Sequence, residues 1–213
     1  MNITGKHIRL LALVAISAIL VACPPSTLFT DLQQQEKTGG SGGKTYAIGS
    51  TGPGGGIVFY DSIAATGSTF QENGVTCTYL EAAPTDQGDT NWYGTGGFAI
   101  LGASGTAIGT GATNTATIVA DEGAGGYAAA LCKSLSLGGY TDWFLPSQDE
   151  LNQMYLNLYE QGLGGFSSTD FYWSSSEDSA NPTDWAWVQL FQNGSQSGNS
   201  KGDNNLVRAV RAF

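Results

Sequence analysis

The sequence predicts an α+β domain over residues 44–213, with a small mixed or antiparallel sheet, two to three helices and long loops. Three observations predict it. In Ser147-Gln148-Asp149-Glu150 a serine stands three positions before a glutamate. Leu151, Met154, Tyr155 and Leu158 follow at helical spacing, so the stretch reads as a capping box opening a helix. From Phe171 to Phe213, short aromatic runs alternate with runs of Asn, Gln, Ser, Gly and Asp, the pattern of strands that hold out polar loops. The ending LVRAVRAF alternates as a strand does, with Leu206, Arg208, Val210 and Ala212 on one side and Val207, Ala209 and Arg211 on the other.

The chain begins with a secretory signal. Lys6 and Arg9 precede an apolar run, Leu10 to Val21, that is too short to span a bilayer as a mature helix. Leu20-Val21-Ala22-Cys23 matches the bacterial lipobox, which predicts cleavage after residue 22 and acylation of Cys23. Two or three acyl chains hold a protein firmly to a leaflet, because each buried CH₂ contributes about 0.8 kcal/mol. The expected location is the bacterial cell envelope, at the outer membrane or cell surface, with the membrane as a partner through the Cys23 lipid. Residues 24–43, polar, aperiodic and ending in a Gly/Ser run, read as a flexible tether. Cleavage removes Lys6 and Arg9 and no acid, leaving six basic against 18 acidic residues and a net charge of −12. That field repels phosphate backbones, so nucleic acid is not an expected partner. The only histidine, His7, leaves with the signal, which removes Ser-His-Asp and Cys-His mechanisms and most zinc sites. No cofactor, metal or catalytic residue is predicted. Cys77 and Cys132, an even pair in an exported domain, are expected to form a disulfide; the alternative is two separately buried thiols.

Within the domain, Gly56–Tyr60 follows a Gly/Pro turn and reads as a strand, and Thr76–Ala83 as a second. Asp86–Gly111, rich in Gly and Thr and containing Trp92 and Tyr93, reads as a long surface loop. Thr113–Val119 and Gly126–Leu137 read as helices, the second presenting Tyr127, Leu131 and Leu135 and ending at Gly138-Gly139. Asp149, Glu150 and Glu160 are expected to complement the helix dipole and face solvent. Asn193-Gly194, between the apolar run Trp185–Phe191 and a polar run, predicts a hairpin turn with left-handed backbone tolerated at both positions.

The blocks GSTGPGGGIVFYD, CTYLEAAPTD, ALCKSLSLGGYTDWFLPSQDELNQMY, FYWSSSE, AWVQLFQNG and VRAVRAF, in this order, resemble the Lcl C-terminal domain family, named after a bacterial collagen-like adhesin. That family in turn resembles the C-type-lectin-like fold in its formylglycine-generating-enzyme branch. The resemblance implies a displayed lipoprotein whose C-terminal region varies among some relatives through retroelement diversification. It also implies that Trp173, Trp187 and Phe191 are framework positions. This chain departs from the pattern in lacking collagen repeats, in being acidic and in having no Glu-Pro-Asn or Trp-Asn-Asp calcium motif. The enzyme branch needs a pair of reactive cysteines near the C-terminal part of the domain, and Cys77 and Cys132 are not there.

The expected function is therefore a lipid-anchored, adhesin-like module, not an enzyme, that binds an extracellular protein or glycan through its C-terminal loops. The candidate ligand-binding residues are Asp178, Asn181, Asp184, Trp185, Asn199, Asp203, Asn204 and Asn205. Their amides and carboxylates supply donors and acceptors, and Trp185 an aromatic face. The alternative is a structural envelope lipoprotein without a discrete ligand.

Overall fold

The computed structural model describes residues 44–94, 99–100 and 102–213. The predicted signal peptide, Cys23 and the tether lie outside the described residues. Thr45–Phe213 forms one compact unit. Its described residues contain ten strands and four helices, an α+β arrangement. In chain order these are β1 (Ile57–Asp61), α1 (Ser62–Thr66), β2 (Phe70–Glu72), β3 (Val75–Cys77), β4 (Tyr79–Ala82), β5 (Gly88–Thr90), α2 (Gly111–Glu122), α3 (Ala128–Ser134) and α4 (Gln148–Asn157). A 3₁₀ turn follows (Tyr159–Gln161), then β6 (Phe171–Glu177), β7 (Trp185–Leu190), β8 (Ser195–Ser200), β9 (Asn205–Val207) and β10 (Val210–Ala212).

The strands form a five-stranded sheet in the order β5-β9-β6-β7-β8, a three-stranded sheet β1-β4-β10 and the hairpin β2-β3. All pairings are antiparallel except β6 with β9. Side chains alternate across β6. Tyr172 enters a core with Phe59, Leu80, Leu151, Met154 and Phe191, under α4. Trp173 enters another with Trp92, Ile118, Tyr127, Trp143 and Val207, under α2 and α3.

Two stretches that read as single strands change sheet midway. In TCTYLEAA, Cys77 ends β3 and Tyr79 begins β4, while the amides of Thr78 and Tyr79 both donate to the Phe213 carbonyl at 2.9 Å. In LVRAVRAF, β9 belongs to the five-stranded sheet and β10 to the three-stranded one, so Arg208 and Ala209 carry the chain from one to the other. Arg208 is buried. It donates to Asp86 Oδ1 at 2.6 Å and to the carbonyls of Ala83 and Gly164, with Phe166 under its guanidinium. The capping box is formed as predicted. The β7–β8 turn is a four-residue loop, Phe191 to Gly194, in which only Gly194 is left-handed (φ 73°).

Three further expectations are corrected. Residues 86–111 are not simply a surface loop: they contain β5, and Trp92 is fully buried with its indole N–H on the Ser174 carbonyl at 2.7 Å. Glu150 is buried, not solvated. The Cys77–Cys132 disulfide is not formed. Cys132 lies on the buried face of α3, enclosed in the core, whereas Cys77 ends the β2–β3 hairpin and lines a separate small cavity, so both thiols are free and buried.

The Gly/Pro turn before β1 is explained by Glu81, the middle of the central strand β4 and fully buried. Its carboxylate accepts from the Gly54 amide at 2.9 Å, the Gly56 amide at 2.9 Å and Arg211 Nη1 at 3.0 Å. A Cβ on Gly54 would lie 2.7 Å from Glu81 Oε1, and one on Gly56 2.6 Å from the Ala82 carbonyl, so the backbone approaches only because both residues are glycine. Removing one member of a buried pair leaves an uncompensated charge at a cost of about 3–5 kcal/mol. Glu81→Ala is therefore expected to lower unfolding free energy by about that amount in urea titration. The same change at exposed Glu160 should cost under about 0.5 kcal/mol.

Candidate functional site

The eight residues predicted to bind ligand do not gather at one point. Asp178, Asn181, Asp184, Trp185 and Asn199 lie around the connection from β6 to β7 and the end of β8 that pairs with it. Asn204 and Asn205 lie beside the opposite end of β6, at Asp170 and Phe171. Asp203 sits on the crossing between them, its amide on the Ser200 carbonyl at 2.9 Å.

The β6–β7 connection is short of apolar residues, yet it is tightly braced. Asp178 and Trp185 pair as the loop closes, the Asp178 amide donating to the Trp185 carbonyl at 3.1 Å. The amides of Asp184 and Trp185 return to the Asn181 carbonyl at 3.2 and 3.0 Å, and Asp178 Oδ1 accepts from the Ala180 amide at 2.9 Å. Beneath it lies Lys201, 1% exposed, whose ammonium pairs with buried Glu177, donates to the Pro182 carbonyl at 2.7 Å and stands 4.3 Å from the Trp92 ring centre. Glu177 also accepts from the Ile100 amide at 2.8 Å. A buried ion pair thus fixes the base of a polar loop.

On that base Trp185 is 44% exposed. Its ring lies over Gly198, where a Cβ would meet the indole at 2.7 Å and the Asp178 carboxylate at 3.1 Å, so ring and carboxylate are neighbours. Asn181 and Asp184 are exposed beside it, and Asn199 pairs with Ala186 one step along the hairpin. Trp173 and Phe191 are fully buried and Trp187 is half-buried, the framework positions expected of them. The arrangement offers an aromatic face rimmed by carboxylates and amides, which suits adsorption of a ligand.

At the other end of β6, Asp89, Thr169, Asp170, Asn204 and Asn205 line a polar cleft of about 290 Å³. Asp89 and Asp170 were absent from the sequence reading, because β5 and the segment before β6 meet only through pairing with β9. A smaller cavity of about 150 Å³ is lined by Glu72, Cys77, Thr115, Lys133, Asp142 and Phe144, among others. Burial, with the Glu72 carboxyl nearby, pushes the Cys77 thiol up, and burial alone pushes the Cys132 thiol up further; both are held away from the thiolate form.

Glu72 and Glu150 form a buried carboxyl pair between the β2–β3 hairpin and α4. Glu150 accepts from the amides of Ser147 and Gly109, each at 2.8 Å, and of Gly111, the donor set of a carboxylate. Glu72 is 4% exposed and accepts from the Ala112 amide at 2.8 Å. Desolvation, then the neighbouring Glu150 charge, raises Glu72 to about 9, so it holds the proton of the pair. An unfolded glutamate ionises near 4.3, so between that value and about 9 the folded state binds the extra proton and stability falls as pH rises. Glu72→Gln should flatten this decline. At pH 8 its melting temperature is expected to exceed that of the parent by at least about 2–4 °C, the shift that 1 kcal/mol produces in a domain of this size. Equal slopes of melting temperature against pH for the two proteins would show that Glu72 is ionised in the fold.

The family comparison covers both ends of this site. The family model described as the Lcl C-terminal domain matches residues 68–211, from just before β2 to β10. No curated protein sequence matches the chain. The matched stretch takes in the capping box and the buried YWSSSE strand, and it makes up more than half of the sequence, so the chain belongs to the Lcl C-terminal domain family.

Proposed function

We propose that this protein is a lipid-anchored module of the bacterial cell envelope, facing outward, that binds an extracellular protein or glycan on the Trp185 platform. The observation that carries the reading is a large aromatic ring, 44% exposed, on a loop whose base is fixed by the buried Lys201–Glu177 pair. Ordering a loop on binding costs about 1–2 kcal/mol per residue fixed, and a pre-braced loop avoids most of that cost. Aromatic residues ringed by polar groups supply most of the energy at recognition surfaces. The lipobox at Leu20–Cys23 and the Gly/Ser-rich tether support display at a distance from a membrane.

Two experiments test this. The domain, residues 44–213, is applied to glycan arrays and to extracellular protein panels. Trp185→Ala combined with Asp178→Ala should weaken any ligand found by at least tenfold, about 1.4 kcal/mol, with little change in melting temperature. Absence of any ligand, or binding that survives the double change, would favour a structural envelope lipoprotein or a site elsewhere. Separately, Cys23→Ala should leave the precursor unprocessed or release the protein from membranes; undiminished membrane retention would remove the lipid anchor from the proposal.

A further inference from the structure

We propose that the open edge of β8 takes an extended peptide as a further strand of the five-stranded sheet, and that this peptide carries a lysine or arginine opposite Gly198, over the Trp185 ring. The inference rests on the reading of the Trp185 platform as a ligand surface and narrows its ligand to a basic polypeptide segment. The other edges of the two larger sheets are closed or short. β1 is covered by the turn before it, the Val58 amide donating to the Ser50 carbonyl at 2.9 Å and the Gly49 amide to the Val58 carbonyl at 2.8 Å. β10 is covered by Phe144, which exchanges two 2.9 Å bonds with Val210, and β5 is three residues long and carries Asp89. β8 is six residues, SQSGNS, paired with β7 in unbroken register. It has no charge, proline or bulge, the devices that keep an edge strand from pairing.

The ladder fixes which backbone groups of β8 face outward. The Asp178 amide donates to the Trp185 carbonyl at 3.1 Å, on the β6 side, and the Lys201 amide donates to the Asp184 carbonyl at 2.8 Å. Trp185 and Ser200 are therefore a non-hydrogen-bonded pair, and the alternation continues through Trp187–Gly198 and Gln189–Gln196. The amides and carbonyls of Ser200, Gly198 and Gln196 thus point away from β7. Ser200 is closed locally, its amide donating to Asn199 Oδ1 at 3.0 Å and its carbonyl accepting from the Asp203 amide at 2.9 Å. Gly198 and Gln196 have no backbone partner on that side among the described residues, which leaves two donors and two acceptors at ladder spacing.

The side chains set the chemistry of the partner. Gly198 stands two residues from Ser200, the partner of Trp185, so its missing side chain belongs to the face that carries the indole. The indole fills that space, 2.7 Å from where a Cβ would sit, and the Asp178 carboxylate stands 3.1 Å from the same point. Cross-strand neighbours lie about 4.5–5.5 Å apart, so a residue of the added strand opposite Gly198 meets the ring and the carboxylate together. A lysine or arginine satisfies both, stacking on the ring and pairing with the acid. The surroundings agree. From Gln161 to Ser200 the chain has no lysine or arginine, and Lys201 is buried against Glu177, so the charges beside this edge are Asp178 and Asp184. The same acids oppose pairing of β8 with its copy in a second molecule.

The test selects from a library of random capped seven-residue peptides against the full chain in detergent and measures the selected peptides by fluorescence anisotropy. They are expected to carry a lysine or arginine, with β-branched or aromatic residues at alternate positions. Methylating alternate amide nitrogens of a selected peptide should weaken binding at least tenfold for the set that faces β8 and far less for the other set, a control that does not depend on how any variant folds. Gly198→Pro, which removes an outward donor and displaces the ring, should abolish binding. Asp178→Asn, which keeps an acceptor for the Ala180 amide, should weaken it at least threefold with the melting temperature near the parent value. The proposal is overturned if no peptide is selected, if the selected peptides lack a cationic residue, if the two methylated sets bind alike, or if the chain proves to be a dimer that Gly198→Pro converts to a monomer. A glycan that needs Trp185 and is indifferent to Gly198→Pro would overturn the added strand while leaving the platform in place.

Discussion

The Glu81 carboxylate is the constraint on which the three-stranded sheet depends. It occupies the central strand, wholly removed from water, where an uncompensated charge would be costly. Its partners come from both ends of the domain: the Gly54 and Gly56 amides from the turn before β1, and Arg211 from β10. Arg211 in turn reaches Asp142 at 2.6 Å and lies over the Tyr140 ring, so the same charge fixes the loop that leads into Trp143 and Phe144. The glycine turn, the acidic residue in CTYLEAA and the second arginine of VRAVRAF are thus one device distributed along the sequence. Packing alone would permit several registers of such short strands; a buried charge with a fixed donor set permits few.

The same logic explains the serines of YWSSSE. β6 pairs regularly with β7 up to Trp173 and again at Glu177, with an irregularity between. The three serines there are fully buried, and each hydroxyl has a partner: Ser174 donates to the Trp187 carbonyl, Ser175 accepts from Asn114, and Ser176 donates to the Gly105 carbonyl and accepts from the Gln148 amide. Small hydroxyls therefore complete the hydrogen bonding of a strand that leaves its ladder, and join it to α2, α4 and the loop between β5 and α2. The YWSSSE and WFLPS-x-DEL blocks thus serve the frame, and the candidate residues Asp178 to Trp185 and Asn199 to Asn205 lie outside them.

What was legible in the sequence was what is encoded locally. The capping box needs only residues 147 and 150, and it was found with its bonds correctly assigned. The burial of Glu150 was not, because its remaining donors, Gly109 and Gly111, stand some forty residues away and Glu72 further still. Alternation identified LVRAVRAF as extended, yet both faces of the segment are buried in different sheets, so no change of pattern marks the crossing at Arg208. Composition suggested a surface loop around Trp92, whereas one indole N–H bond to Ser174, 82 residues on, pulls it into the core. An even cysteine count is silent about geometry, and the two thiols belong to different surroundings. Asp178, Asn181, Asp184 and Trp185 come together because they share one short continuous stretch, and Asn199 joins them through β7–β8 pairing; Asn204 and Asn205 are separated from them by the crossing that Lys201 anchors.

That crossing ties the structural and functional arguments together. β8 is an edge strand and β9 lies on the other side of β6, so residues 201–204 must pass from one side of β6 to the other. Lys201 makes the passage rigid: its amide donates to the Asp184 carbonyl at 2.8 Å, its carbonyl accepts from the Trp92 amide at 2.9 Å and its ammonium enters the core against Glu177. One residue therefore closes the platform loop from below and delivers the next residues, Asp203 to Asn205, toward the polar cleft. Because the platform and the cleft share this buried anchor but no exposed residue, substitutions on either surface leave the other's frame in place. Loss of the anchor disturbs both. A fold built this way can change its exposed polar residues while keeping one core, since the Lys201–Glu177 and Arg211–Glu81 pairs that hold it are inside.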